Sequence, residues 1–256
     1  AAGEPDVSDL KMPFTDVKEG SYCYDAVKWA VSKGITEGTT ATTFAPSAPA
    51  TRGQVVTFLY RAAGKPDVAD VELPFTDVKE GSFCYDAVLW AVANGVTNGT
   101  SATTFSPNGP MTRSMLVTAL WRLEGEPAAA GTSGFPDVKP DAWYTEAVDW
   151  ASQTDIVSGT GAGFDPEGSV TREQIASILY RYAKLKGWDV SKTASLQDFA
   201  DGADTSAWAT RAMEWAYAEK LITGKDGKCL DPQGQASRAE VATILMRLLE
   251  SKAKNA

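Results

Sequence analysis

An all-α chain of tandem helix-loop-helix modules is the fold that this sequence predicts, and three observations predict it. A Phe-x-Asp motif returns about every 60 residues, as Phe14-Thr-Asp16-Val17, Phe75-Thr-Asp77-Val78, Phe135-Pro-Asp137-Val138 and the looser Phe199-Ala-Asp201. Apolar residues within each copy recur at three- and four-residue spacing, whereas strand alternation is weak throughout. Each copy then carries a hydroxyl-Arg pair ahead of an apolar stretch: Thr51-Arg52, Thr112-Arg113, Thr171-Arg172 and Ser237-Arg238. The modules span 14–63, 75–124, 135–184 and 199–249, the fourth being divergent. A unit of this size is marginal alone, so neighbouring modules are expected to share a core.

In module one, Tyr24, Val27 and Val31 with Ala26 and Ala30 give a first helix of about ten residues, closed by a left-handed glycine at Gly34. Gly95 fills that place in module two, but Asp155 and Lys220 stand there in modules three and four, which predicts a different ending for those helices. The tryptophans of the first helices, Trp29, Trp90, Trp150 and Trp215, are assigned to the core. Short turns such as Gly-Ile35-Thr36-Glu37-Gly38 and Gly-Val96-Thr97-Asn98-Gly99 follow. Phe44, Phe105, Phe164 and Leu230 then each precede one residue and a proline (Pro46, Pro107, Pro166, Pro232), and should pin that loop to the core. The second helix starts at the hydroxyl residue. Thr51 with Gln54, Thr171 with Gln174 and Ser237 with Glu240 match the reciprocal capping box, while Thr112 faces Met115 and keeps the cap alone. Its buried face reads Val55, Phe58, Leu59 in module one and Leu116, Ala119, Leu120 in module two. The corresponding sets are Ile175, Ile178, Leu179 and Val241, Ile244, Leu245.

Composition narrows the function. The net charge of −9 argues against a nucleic-acid partner, which needs clustered cations. No apolar run approaches the roughly 20 residues of a membrane span. The chain has no His, the commonest general base and metal ligand, no Cys-x-x-Cys spacing, and no carboxylate pair that identifies itself as catalytic. A non-catalytic chain without cofactor or metal is therefore predicted. Cys23 and Cys84 correspond to one another and read as small buried hydrophobes, with a disulfide between them as the alternative; Cys229 has no counterpart. The start, Ala1-Ala2-Gly3-Glu4, reads as a cut from a longer protein.

The arginines are the feature that capping leaves unexplained. Each stands at the first helical position, where the helix dipole disfavours a cation by about 0.3 to 1 kcal/mol. An anion at the helix start, met by free amides and the guanidinium fork, would account for that placement. So would an internal carboxylate, for which Asp16, Asp77, Asp137 and Asp201 are candidates. Tyr22, Phe83, Trp143 and Trp208, one per module ahead of the first helix, suit either the face of a sugar ring or core packing.

Taken in order, the Phe-x-Asp-Val, the aromatic, the Ala-rich helix with Trp, the Gly-Ile/Val-Thr-x-Gly turn, the Phe-x-Pro loop and the Thr-Arg-x-Gln/Glu start resemble the S-layer homology repeat of bacterial surface proteins, over residues 14 to about 249. The resemblance implies three or four modules sharing a core in a pseudo-symmetric bundle. It also implies an extracellular place at the bacterial cell wall, and binding of an acidic, often pyruvylated, secondary cell-wall polysaccharide in grooves between repeats. The binding arginine of that family falls on Arg52, Arg113, Arg172 and Arg238, with Tyr22, Phe83, Trp143 and Trp208 beside them. Only Ser237-Arg238-Ala239-Glu240 nearly matches the family's Thr-Arg-Ala-Glu. The alternative is a structural or self-assembly module of a surface layer, its arginines in internal ion pairs.

Overall fold

The computed structural model describes residues 6–68, 72–97, 99–225 and 228–255, without the side chains at 245 and 248–255. Asn98 of the second turn and the Leu245 side chain of the fourth apolar face thus lie outside the described residues. The described residues hold eight α-helices, one short 3-10 turn at Gly202–Asp204 and isolated β-bridges, with no strand. The chain is all-α. The helices are α1 (Tyr24–Ser32), α2 (Arg52–Ala62), α3 (Tyr85–Ala93), α4 (Arg113–Leu123), α5 (Thr145–Gln153), α6 (Arg172–Leu185), α7 (Thr210–Ala218) and α8 (Arg238–Asn255), two to each module. Among the described residues no helix is long and apolar enough to cross a membrane.

The helices form two compact units whose borders fall at the capping residues Thr51 and Thr171, inside modules one and three. In the unit Thr51–Val170, α2 packs on α3 and α4 on α5. In the unit made of Ala1–Ala50 and Thr171–Ala256, α6 packs on α7 and α8 on α1. The rule is the same in both: the second helix of a module packs on the first helix of the next, and module four hands its second helix to module one. A nine-residue first helix offers too little apolar face to bury alone, and it gains one from its neighbour. Neighbouring modules therefore share a core. Trp29 and Trp215 are buried in one unit and Trp150 in the other, whereas Trp90 is half-buried, with its ring 5.9 Å from Tyr60.

All four first helices end alike, contrary to the expectation for modules three and four. Gly34 and Gly95 have φ of 66° and 61°, and Asp155 and Lys220 adopt the same left-handed backbone at 58° and 57°. The next amide closes each motif, Ile35 on Ala30, Val96 on Ala91, Ile156 on Ala151 and Leu221 on Ala216. Hydrogen bonding and burial of the following apolar residue outweigh the roughly 1 to 2 kcal/mol that a Cβ costs in this conformation. Cys23, Cys84 and Cys229 are free thiols, the first two buried at the starts of α1 and α3. No disulfide is formed.

The Phe-x-Asp aspartates have a structural task. Asp16 accepts the amides of Phe44 and Ala45, Asp77 those of Phe105 and Ser106, Asp137 those of Phe164 and Asp165, and Asp201 those of Leu230 and Asp231, at 2.5 to 2.9 Å. The second residue of each pair has φ between 50° and 58°. Each carboxylate thus clamps its own module's Phe-x-Pro loop, and Phe44, Phe105, Phe164 and Leu230 are fully buried.

Candidate functional site: arginines at the second-helix starts

The caps form as the sequence predicts. Thr51 and Thr171 make the full capping box with Gln54 and Gln174. Ser237 does so with Glu240, whose Oε2 accepts the Ser237 amide at 2.7 Å. Thr112 accepts only the Met115 amide.

The first two amides of each second helix are not free for a ligand, which corrects one part of the anion expectation. They donate to carbonyls of the next module's Phe-x-Pro loop: Arg52 and Gly53 to Gly109 and Pro107, Arg113 and Ser114 to Gly168 and Pro166, Arg172 and Glu173 to Gly234 and Pro232, and Arg238 and Ala239 to Ala48 and Pro46, at 2.8 to 3.1 Å. With the third amide capped, the helix start is saturated. The arginine side chain follows the same path. Nε of Arg52, Arg113 and Arg238 donates to the carbonyl of Phe105, Phe164 and Phe44 at 2.9, 2.7 and 2.8 Å. Each guanidinium carbon lies 4.7 or 4.8 Å from the centroid of that same phenylalanine ring. The aspartates named as internal partners hold this loop from its other attachment point, through its amides.

These three guanidiniums are nearly buried. Burial lowers the affinity of each for its proton, in Arg238 to about 10, against the opposing field of Asp16. Burial likewise lowers Arg113, opposed by Asp165 and Asp137, and Arg52, opposed by Glu167 and Asp77. The terminal nitrogens of Arg113 make no hydrogen bond among the described residues, and Arg52 Nη1 meets the Met115 sulfur at 3.2 Å. A desolvated cation set on an aromatic face favours an incoming anion.

Arg172 differs. Leu230 stands where the others meet phenylalanine, and the guanidinium turns to pair through Nη1 with Glu240 and through Nη2 with the Thr223 carbonyl. Its Nε, the nitrogen that the other three direct to the loop carbonyl, has no hydrogen-bond partner among the described residues. Arg172 and Glu240 are each 1% exposed. Burial raises the Glu240 carboxyl, with Arg172 opposing. The sequence marks Glu240 as a capping residue; its second role has a signal there, since it is the one carboxylate among Gln54, Met115, Gln174 and Glu240.

The four aromatics are placed unequally. Phe83 and Trp208 are 57% and 55% exposed, the exposure expected of a stacking surface, whereas Tyr22 and Trp143 are half-buried. Phe83 reaches the start of α2, where a Cβ added to Gly53 would lie 3.1 Å from its ring and 3.0 Å from the Pro107 carbonyl. Tyr22 lies near Ser237, and burial, then Glu240, push its phenol well above the ordinary range. Trp143 stacks edgewise on Tyr144 at 5.2 Å. Among the described residues no cluster of acidic or thiol side chains is placed to hold a metal ion.

Four segments of the chain, 13–56, 74–114, 134–176 and 198–242, match the S-layer homology domain, which is more than half of its length. The chain belongs to the S-layer homology family. Repeats of this family anchor surface proteins to the cell wall, which places the chain at the bacterial cell surface. Its relatives include the Surface-layer 125 kDa protein of Lysinibacillus sphaericus, 32% identical over 68% of this chain and 14% of that protein. Exoglucanase XynX of Acetivibrio thermocellus is 28% identical over 73% of this chain and 17% of its own length. A cellulosome-anchoring protein of the same species is 27% identical over 57% of this chain and 33% of its own. The chain thus spans a third or less of each of these relatives.

Proposed function

We propose that the chain is a non-catalytic anchoring module that holds an acidic, pyruvate-bearing secondary cell-wall polysaccharide at the arginines of its second-helix starts. The observation that carries this reading is the Arg113 site, where a residue only 4% exposed lays its guanidinium on Phe164 and, among the described residues, engages only its Nε in a hydrogen bond. A carboxylate of the ligand would complete that fork, and Arg52 and Arg238 share the aromatic seat. Exposed Phe83, set against the first turn of α2 beside Arg52, supplies an apolar face for a sugar ring. Trp208, Trp143 and Tyr22 occupy the corresponding position in the other modules. The relative named as cellulosome-anchoring supports attachment as the role, and Exoglucanase XynX matches this chain over only 17% of its own length. The alternative, a structural or self-assembly module with its arginines in internal ion pairs, is favoured by Arg172, whose ion pair with Glu240 lies within the chain.

The test is a pull-down by purified cell walls, with and without removal of ketal pyruvate. Arg113→Gln should weaken capture by about 1.5 to 3 kcal/mol, the scale of a hydrogen bond between charged groups. Capture indifferent both to that change and to pyruvate would sink the proposal.

A further inference from the structure

We infer that Glu240 closes the third arginine site to anions, so that acidic glycan is held at Arg52, Arg113 and Arg238 while Arg172 locks module four onto module three. This rests on the function proposed above and narrows it. Three contacts separate this site from the others. Leu230 removes the ring that seats the other guanidiniums, and Arg172 Nε is left without an acceptor. Glu240 brings a carboxylate to a helix position held elsewhere by Gln54, Met115 and Gln174, and divides its oxygens between Arg172 and the Ser237 amide. The remaining terminal nitrogen of Arg172 goes to the Thr223 carbonyl, so neither arm of the fork is left to meet a ligand.

A second carboxylate completes the inversion. Glu173 occupies the helix position that is Gly53, Ser114 or Ala239 in the other modules, and accepts the Ser206 amide and hydroxyl, each at 3.0 Å. Glu173 and Glu240 are both buried, and Glu240 is the one that meets the guanidinium. An incoming anion would have to displace Glu240 and leave it charged, buried and unpaired, which is the costly way to break such a pair. Glu240 is thus a specificity-determining residue: its charge excludes acidic sugars from this site.

The experiment counts sites by calorimetry on the full chain, with a methyl glycoside carrying a 4,6-linked pyruvate ketal and its neutral ethylidene analogue as probes. Arg113→Gln should remove one bound ketal glycoside, whereas Arg172→Gln should leave the number unchanged. Leu230→Phe with Glu240→Gln should add one, because glutamine keeps the capping bond as it does at Gln54 and Gln174. Loss of a bound glycoside in Arg172→Gln overturns the inference. Stability gives a readout that needs no ligand: Arg172→Gln should lower Tm by about 10 °C, and adding Glu240→Gln should restore most of it. Additive changes would mean there is no lock. If Arg172→Gln alone does not fold, Arg172→Gln with Glu240→Gln carries the count. If the wild-type chain binds no ketal glycoside while the Tm pattern holds, the glycan reading fails and the lock stands.

Discussion

Arg113 and Arg172 each follow a capping threonine, each open a second helix whose first two amides bond the next module's loop, and each is almost wholly buried. Yet one guanidinium rests on Phe164 with its terminal nitrogens unclaimed by the described residues, and the other is held between Glu240 and Thr223. Local sequence puts the arginine at the first helical position, behind a threonine cap, in both. The partner is chosen by two residues that arrive from the next module: the one before the left-handed loop residue, Phe164 or Leu230, and in module four the carboxylate of Glu240. A buried cation must be met by something, and whether an aromatic face or an acid meets it decides whether room is left for a ligand.

Truncating the two loop residues should break the comparison most strongly. Phe164→Ala, at a fully buried ring, should cost about 3 to 5 kcal/mol in chemical denaturation, and Leu230→Ala about 2 to 5. The two should differ in kind. Phe164→Ala also unseats Arg113 and should abolish its share of wall capture, whereas Leu230→Ala should leave capture by the folded protein intact. A milder exchange sharpens the point: Phe164→Leu gives Arg113 the loop of Arg172 without its acid, and should weaken capture with a stability loss of only about 1 to 1.5 kcal/mol.

Acid should act on both sites through the loop clamps. Burial alone would raise Asp137, but the Phe164 and Asp165 amides, aided by Arg113, hold its carboxyl below the ordinary range. Asp201 is held low in the same way by Leu230 and Asp231, against its own burial. A carboxyl whose pKa is depressed on folding contributes fully above its unfolded value and loses that contribution as pH falls through the folded one. Tm should therefore hold above about pH 4 and fall below it. Because Asp137 is exposed, Asp137→Asn should flatten that fall by only a degree or two. A melting profile identical in Asp137→Asn and wild type would remove the clamp from the account.

The smallest contrast lies at the ends of the first helices. Lys220→Gly should stabilise by about 1 kcal/mol and Gly34→Ala destabilise by a similar amount, because both positions are left-handed. Thermal melts of the two variants read this directly.

What was legible in the sequence is what short spacing encodes: the repeat, the helices, the caps at Thr51, Thr112, Thr171 and Ser237, and the pinned loops. The arginine motif was visible, but its acceptors were not, because Arg52 and Phe105, or Arg238 and Phe44, meet only through packing between modules. The aspartates drew attention as possible arginine partners because charge is easy to read, whereas their amide partners have no sequence signature. Asp155 and Lys220 misled for the opposite reason: a left-handed cap favours glycine without requiring it. The differences of Leu230 and Glu240 from the other three copies are both visible, but nothing local shows that they converge on Arg172.

The central claim is that one repeated arginine motif gives ligand-binding sites and one lock. Arginine side-chain NMR of the full chain, titrated with the ketal glycoside, tests it most directly. The guanidinium signals of Arg52, Arg113 and Arg238 should move with saturation and that of Arg172 should stay in place. A saturable shift at Arg172 matching that at Arg113 would contradict the claim.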